Sequence, residues 1–117
     1  MKMPEPTARA ARLQSLLLEL SYPDRRRNPD LLAEIGRLLD EALGQGELAI
    51  GSTPAEVRRA IGPPSLRRGD ETDASFDWGY PHPAPAGQAP GDDWYLFLRF
   101  RDGVLRAIET RIWREGR

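Results

Sequence analysis

Trp94-Tyr95-Leu96-Phe97-Leu98-Arg99-Phe100-Arg101-Asp102-Gly103-Val104-Leu105-Arg106-Ala107-Ile108, continuing to Trp113, is the stretch whose reading decides the fold. Trp94 to Arg101 reads as the most apolar strand and Val104 to about Trp113 as the strand that returns from it, and Asp102-Gly103 between the two is a strong signal for a two-residue hairpin turn. A turn of that length fixes register: Arg101 faces Val104, Phe100 faces Leu105 and Leu98 faces Ala107. One face of the hairpin then carries Trp94, Leu96, Leu98, Phe100, Leu105 and Ala107 and is expected to meet the core. The other carries Tyr95, Phe97, Ile108, Thr110 and Ile112, with Arg99 opposite Arg106. Like charges directly opposed are tolerable only in solvent, so this second face is expected to be exposed at its turn end. Glu109 and Arg111 fall on the supposed core face, which hints at a twist or bulge there.

Upstream of the hairpin, Ala74, Phe76, Trp78 and Tyr80 alternate with Ser75, Asp77 and Gly79, the period of a half-buried strand. Between them, 81–93 is a Pro/Ala/Gly-rich loop. Further upstream the period becomes helical. Leu13, Leu16, Leu17 and Leu20 form one stripe behind Thr7, a plausible N-cap. Asn28-Pro29-Asp30 opens a second helix whose apolar face runs from Leu31 to Leu43, with Gly44 placed just past its end. Thr53-Pro54-Ala55-Glu56 is a capping box for a third, shorter helix that Gly62-Pro63-Pro64 stops. Helices followed by strands indicate an α+β domain. The expected architecture is one domain over 1–117: an N-terminal helical hairpin (7–45) and a short third helix packed on one face of a three-stranded antiparallel sheet (48–113).

Composition bounds what such a domain does. The 117 residues are enough for one core without staples, and a 30% charged fraction gives a well-solvated exterior. The net charge of −1 lacks the basic excess of nucleic-acid binders, so no nucleic acid is expected as a partner. Arg25-Arg26-Arg27 and the arginines of the last strand read as solvated charges. No apolar run approaches the roughly 20 residues that span a bilayer, so membrane insertion is not expected. Met1-Lys2-Met3-Pro4-Glu5-Pro6 has no apolar core of the kind a secretory signal needs, and a cytoplasmic location is the expectation. The absence of cysteine removes disulfides, thiolate metal sites and thiol nucleophiles.

Catalytic groups are sparse. His82 is the only histidine and sits in the stiff Tyr80-Pro81-His82-Pro83 segment. A general base needs a positioned partner and nucleophile, and a lone histidine makes a poor metal site. Asp70, Glu71, Asp73, Asp77, Asp92 and Asp93 match no calcium loop and read as a solvated acidic stretch or as a docking surface for a basic partner. No catalytic residue, metal or cofactor is therefore assigned. An exposed sheet face bearing aromatic side chains flanked by arginine has the composition of an interface. Tyr95, Phe97, Arg99, Arg106 and Ile108 are the expected contact residues, with Asp92 and Asp93 at the rim.

The segment Leu48-Ala49-Ile50-Gly51-Ser52-Thr53-Pro54-Ala55-Glu56-Val57, followed by Ile61-Gly62-Pro63-Pro64, by Trp78-Gly79-Tyr80 and by an apolar strand reaching Asp102-Gly103, resembles the SmpA/OmlA family over about Leu48 to Thr110. The resemblance implies an α/β sandwich similar to β-lactamase inhibitor proteins, and a role in binding proteins or envelope components without catalysis. The chain departs from the outer-membrane members in lacking the lipidated cysteine and in carrying a helical hairpin. The expected function is a non-enzymatic protein-binding module, in its specific form a bacterial immunity or inhibitor protein that neutralises a partner toxin. The alternatives are an envelope-assembly or scaffold component, and a small-ligand binder or enzyme with its pocket under the 81–93 loop.

Overall fold

The computed structural model describes residues 7–25, 28–88 and 93–113. Three helices precede a four-stranded sheet: α1 (Ala8–Leu20), α2 (Pro29–Gly44), α3 (Pro54–Ile61), β1 (Leu66–Arg68), β2 (Ser75–Pro81), β3 (Trp94–Arg101) and β4 (Val104–Ile112). The sheet is antiparallel throughout, in the order β1-β2-β3-β4. The fold class is α+β as the order of periods requires, with one strand more than expected. Leu66-Arg67-Arg68 has no alternating apolar pattern, and it becomes a strand because β2 offers it a free edge, with Leu66 opposite Gly79 and Arg68 opposite Asp77.

Each helix starts where its cap stands. Thr7 and Asn28 accept the first free amides of α1 and α2 through their side chains. Thr53 and Glu56 form a reciprocal capping box at α3. At the end of α2, Gly44 is the last helical residue and the left-handed conformation falls at Gly46 (φ 76°) instead. Leu48 and Ile50 lie in the irregular segment between α2 and α3. Leu48 is buried and Ile50 points out, 59% exposed.

The core lies between the helices and one sheet face. Leu13 and Leu16 of α1, Ile35 and Leu39 of α2, and Val57 and Ile61 of α3 are buried against Phe76, Trp78, Tyr80, Leu96, Leu98, Phe100 and Leu105. Phe76 stacks on Phe100 at 4.8 Å between centroids, and Trp78 meets Phe100 edge-on at 4.9 Å. Polar contacts lock the layers together. Thr7 donates its amide to Arg59 O and its hydroxyl to Ala60 O, tying the start of α1 to the end of α3. Tyr80 donates its hydroxyl to Gly62 O at 2.6 Å, tying the end of α3 to β2. Among the described residues no helix is long and apolar enough to cross a membrane.

The hairpin turn sits at Asp102-Gly103, and Phe100 faces Leu105 and Arg101 faces Val104 as the turn length dictates. One residue further the register shifts: Arg99 pairs with Ala107, Leu98 with Ile108 and Phe97 with Glu109. Arg106 is the extra residue of a β-bulge. The bulge exchanges the faces of β4 beyond it. Ile108, Thr110 and Ile112 turn to the helix side, and Ala107, Glu109 and Arg111 turn to the opposite face. The bulge also removes the unfavourable pairing of Arg99 with Arg106.

Candidate docking face on the sheet

Alternation along the strands places Leu66 and Arg68 of β1, Asp77 and Gly79 of β2, Tyr95, Phe97, Arg99 and Arg101 of β3, and Glu109 and Arg111 of β4 on the face away from the helices. Trp113 follows β4 with the same parity. Its amide donates to Asp93 O at 2.8 Å, which holds the strand end against β3.

This face has two layers. The lower one is aromatic. Phe97 sits opposite Gly79, and the missing side chain there leaves room for its ring. Tyr95 and Trp113 flank Phe97, each with a centroid separation of 6.1 Å. The upper layer is arginine. Arg111 lies over Phe97 at 4.7 Å and Arg68 over Trp113 at 5.0 Å. These are cation–π distances. Phe97 is only 6% exposed as a result.

Arg99 donates to the buried Asp77 carboxylate through Nε at 3.0 Å and Nη2 at 3.4 Å. The hydrogen bond and charge of Asp77 push the Arg99 guanidinium above its ordinary value, so this cation is permanent. Arg111 forms an ion pair with Glu109 at 3.3 Å, although its Nε lacks hydrogen-bond geometry to any acceptor. Arg101 and Arg106 are exposed and have no ion-pair partner among the described residues. Among the described residues this face carries Arg68, Arg99, Arg101 and Arg111 against Asp77 and Glu109, on a chain whose net charge is −1.

The sequence-expected contact residues separate. Tyr95, Phe97 and Arg99 lie together on the open face, with Phe97 as its floor and not as an exposed anchor. Arg106 is exposed at the bulge. Ile108 is a correction: the bulge turns it to the helix side, where it packs against the core. Asp93 is half-buried at the start of β3, and Asp92 lies outside the described residues. Arg68, Glu109 and Arg111 were not expected here. Arg68 belongs to the strand that lacked a pattern. Glu109 and Arg111 carried their signal as charges on a supposedly buried face. Trp113 joins them. Asp77 leaves the acidic stretch altogether, because it faces Arg99 from within β2.

The rest of that stretch folds on itself. Asp70 Oδ1 accepts from the Thr72 amide at 2.9 Å and Asp73 Oδ2 from the Asp70 amide at 2.8 Å, while Glu71 pairs with Arg58. The Thr72 amide and hydroxyl, both donating to Asp70 Oδ1, hold the Asp70 carboxyl below its ordinary value. His82 is tied into its own loop. Its amide donates to Trp94 O at 3.0 Å and its Nδ1 lies 2.8 Å from Pro83 O. Beside it, a cavity of about 770 Å³ opens between the ends of α1 and α2 and the 81–88 segment, walled mainly by Leu17, Leu20, Leu32, Pro83 and Trp94. Among the described residues no group of His, Asp or Glu is disposed to hold a metal ion.

No protein-family model, curated protein or solved structure matches this chain.

Proposed function

We propose that the chain is a non-enzymatic protein-binding module that docks an acidic surface of another protein on the open face of its sheet. The observation that carries this reading is the arginine layer held over the Tyr95, Phe97 and Trp113 rings. Guanidiniums immobilised by stacking lose less side-chain entropy on contact and offer planar donors that suit carboxylates. Charge complementarity of this kind steers association and selects partners. A nucleic acid is the poorer fit. Single-stranded binders stack bases on free aromatic faces, whereas here Phe97 and Trp113 already carry guanidiniums. The narrower form of the proposal is an immunity or inhibitor protein that neutralises a toxin. It is supported by the small size of the domain, the preformed face, and the Thr53 cap, Gly62 stop and Asp102-Gly103 hairpin that carry the SmpA/OmlA resemblance.

The test is affinity capture from the source lysate with three baits: wild type, the double variant Arg68→Glu/Arg101→Glu, and Arg25→Glu on the far loop as a charge control. A protein retained by wild type and the control, released by moderate salt and lost with the double variant supports the reading. A partner that all three retain removes the open face from consideration.

A second reading, a small-ligand binder, rests on the 770 Å³ cavity, whose size falls in the range of ligand pockets. A thermal-shift screen of apolar small molecules tests it, with Leu20→Trp as the variant that fills the space.

A further inference from the structure

β4 is the outer strand of the sheet on the side away from β1. Among the described residues its outward backbone is closed at one place, where Gly51 donates to Leu105 O at 2.8 Å and the Leu105 amide donates to Ser52 O at 2.7 Å. That contact fixes which residues turn their amide and carbonyl outward. Leu105 opposes Phe100, and the same parity recurs along β3 at Leu98, Leu96 and Trp94, whose partners are Ile108, Thr110 and Ile112. Trp113 has the other parity and its amide points inward, to Asp93 O. The backbone groups of Ile108, Thr110 and Ile112 therefore face away from the sheet. No backbone hydrogen bond closes them among the described residues. An edge of this kind is a template for another strand.

The sequence of this edge is complementary to itself. In an antiparallel pairing centred on Thr110, Thr110 meets Thr110 of a second copy, Glu109 meets Arg111, Ile108 meets Ile112 and Ala107 meets Trp113. Every pair joins residues of the same face: the ion pairs lie on the arginine face and the isoleucine pairs on the helix side. The outward-turned residues 108, 110 and 112 oppose one another, which the hydrogen-bonded positions of an antiparallel ladder require. Neighbouring registers fail. Centring on Glu109 keeps the backbone parity but sets two carboxylates directly opposite each other, which is destabilising. Centring on Ile108 runs the incoming strand into the segment that Gly51 and Ser52 already occupy.

We propose that β4 is a self-pairing edge, through which two copies of this chain join antiparallel about Thr110 into one continuous eight-stranded sheet. The pairing extends the arginine face across both copies and does not depend on what docks there.

Sedimentation velocity over a concentration series tests it. Wild type is expected to reach twice the 13.2 kDa chain mass. Glu109→Arg sets arginine against arginine and Arg111→Glu sets glutamate against glutamate, so each variant alone is expected to sediment as a monomer. An equimolar mixture of the two restores both ion pairs and is expected to recover the dimer, which a folding defect would not do. Thr110→Pro removes an outward amide that the monomer does not use, and is expected to stay folded by circular dichroism and monomeric. Wild type that remains monomeric at the highest concentration reached overturns the proposal. So does a dimer that survives the single charge reversals, or a mixture of the two variants that stays monomeric.

Discussion

The Phe97 ring occupies the space that a side chain at Gly79 would claim: a Cβ there would lie 3.1 Å from Phe97 Cε1 and 3.2 Å from Leu66 Cβ. This one absence lets an aromatic residue lie flat on the open face and lets Arg111 stack above it. Gly79→Val is expected to lift Phe97 and cost about 1–3 kcal/mol, in spite of valine's preference for strands. Urea unfolding of the variant checks this, and weaker capture of the partner at unchanged secondary structure follows from the same displacement.

Gly36 plays the matching part on α2. A Cβ at Gly36 would come within 2.8 Å of Pro83 Cδ, on a ring that has little freedom to yield. Gly36→Ala gains about 1 kcal/mol of helix propensity. It is nevertheless expected to lose stability on balance, because the loop must undock. Amide exchange locates the effect: the His82 amide, bonded to Trp94 O, is expected to exchange faster than in wild type.

Tyr80 gives an alkaline signature. Burial pushes its phenol well above the ordinary value of 10.0. A raised folded value means that the unfolded chain loses this proton first. The contribution is therefore complete below about pH 10 and declines as pH rises beyond it. Tyr80→Phe is expected to be less stable at pH 7 by about 1 kcal/mol, from the lost bond to Gly62. It is also expected to show a shallower loss of stability above pH 10. Unfolding midpoints for both proteins on either side of pH 10 measure the difference.

Thr53→Ala breaks the capping box of α3 and is expected to cost about 1 kcal/mol, with Thr53→Ser restoring most of it. The Thr53 amide and hydroxyl hold the Glu56 carboxyl below its ordinary value. A depressed folded value means a contribution that is present above the ordinary carboxylate range and lost as pH falls through the folded value. Glu56→Gln is expected to flatten that acid limb, readable from thermal midpoints across pH 3 to 6.

Most of the fold is legible in the residues because local signals agree with the packing. The three caps, the Asp102-Gly103 turn, the alternation in β2 and the apolar run of β3 each point to the element that forms. What stays hidden has a physical reason. β1 is set by a free edge of β2, a tertiary circumstance that Leu66-Arg67-Arg68 does not encode. The bulge at Arg106 inserts one residue, and one residue reverses every face beyond it. That is how Ile108 comes to stand among the contact residues while Arg111 and Glu109 stand in the core. Their charges were the warning. The burial of Phe97 depends on a glycine on another strand and on an arginine that reaches over it, and neither can be read from a single strand's period.

The central claim, that the arginine layer is the docking surface, is tested most directly by arginine-selective chemical footprinting of the protein alone and in its captured complex. The account predicts that Arg68, Arg101 and Arg111 lose reactivity in the complex while Arg12, Arg25 and Arg37 on the helical side keep theirs. Protection of the helical arginines with the sheet arginines unchanged would contradict it and move the interface to the hairpin, where Leu18 and Tyr22 stand exposed.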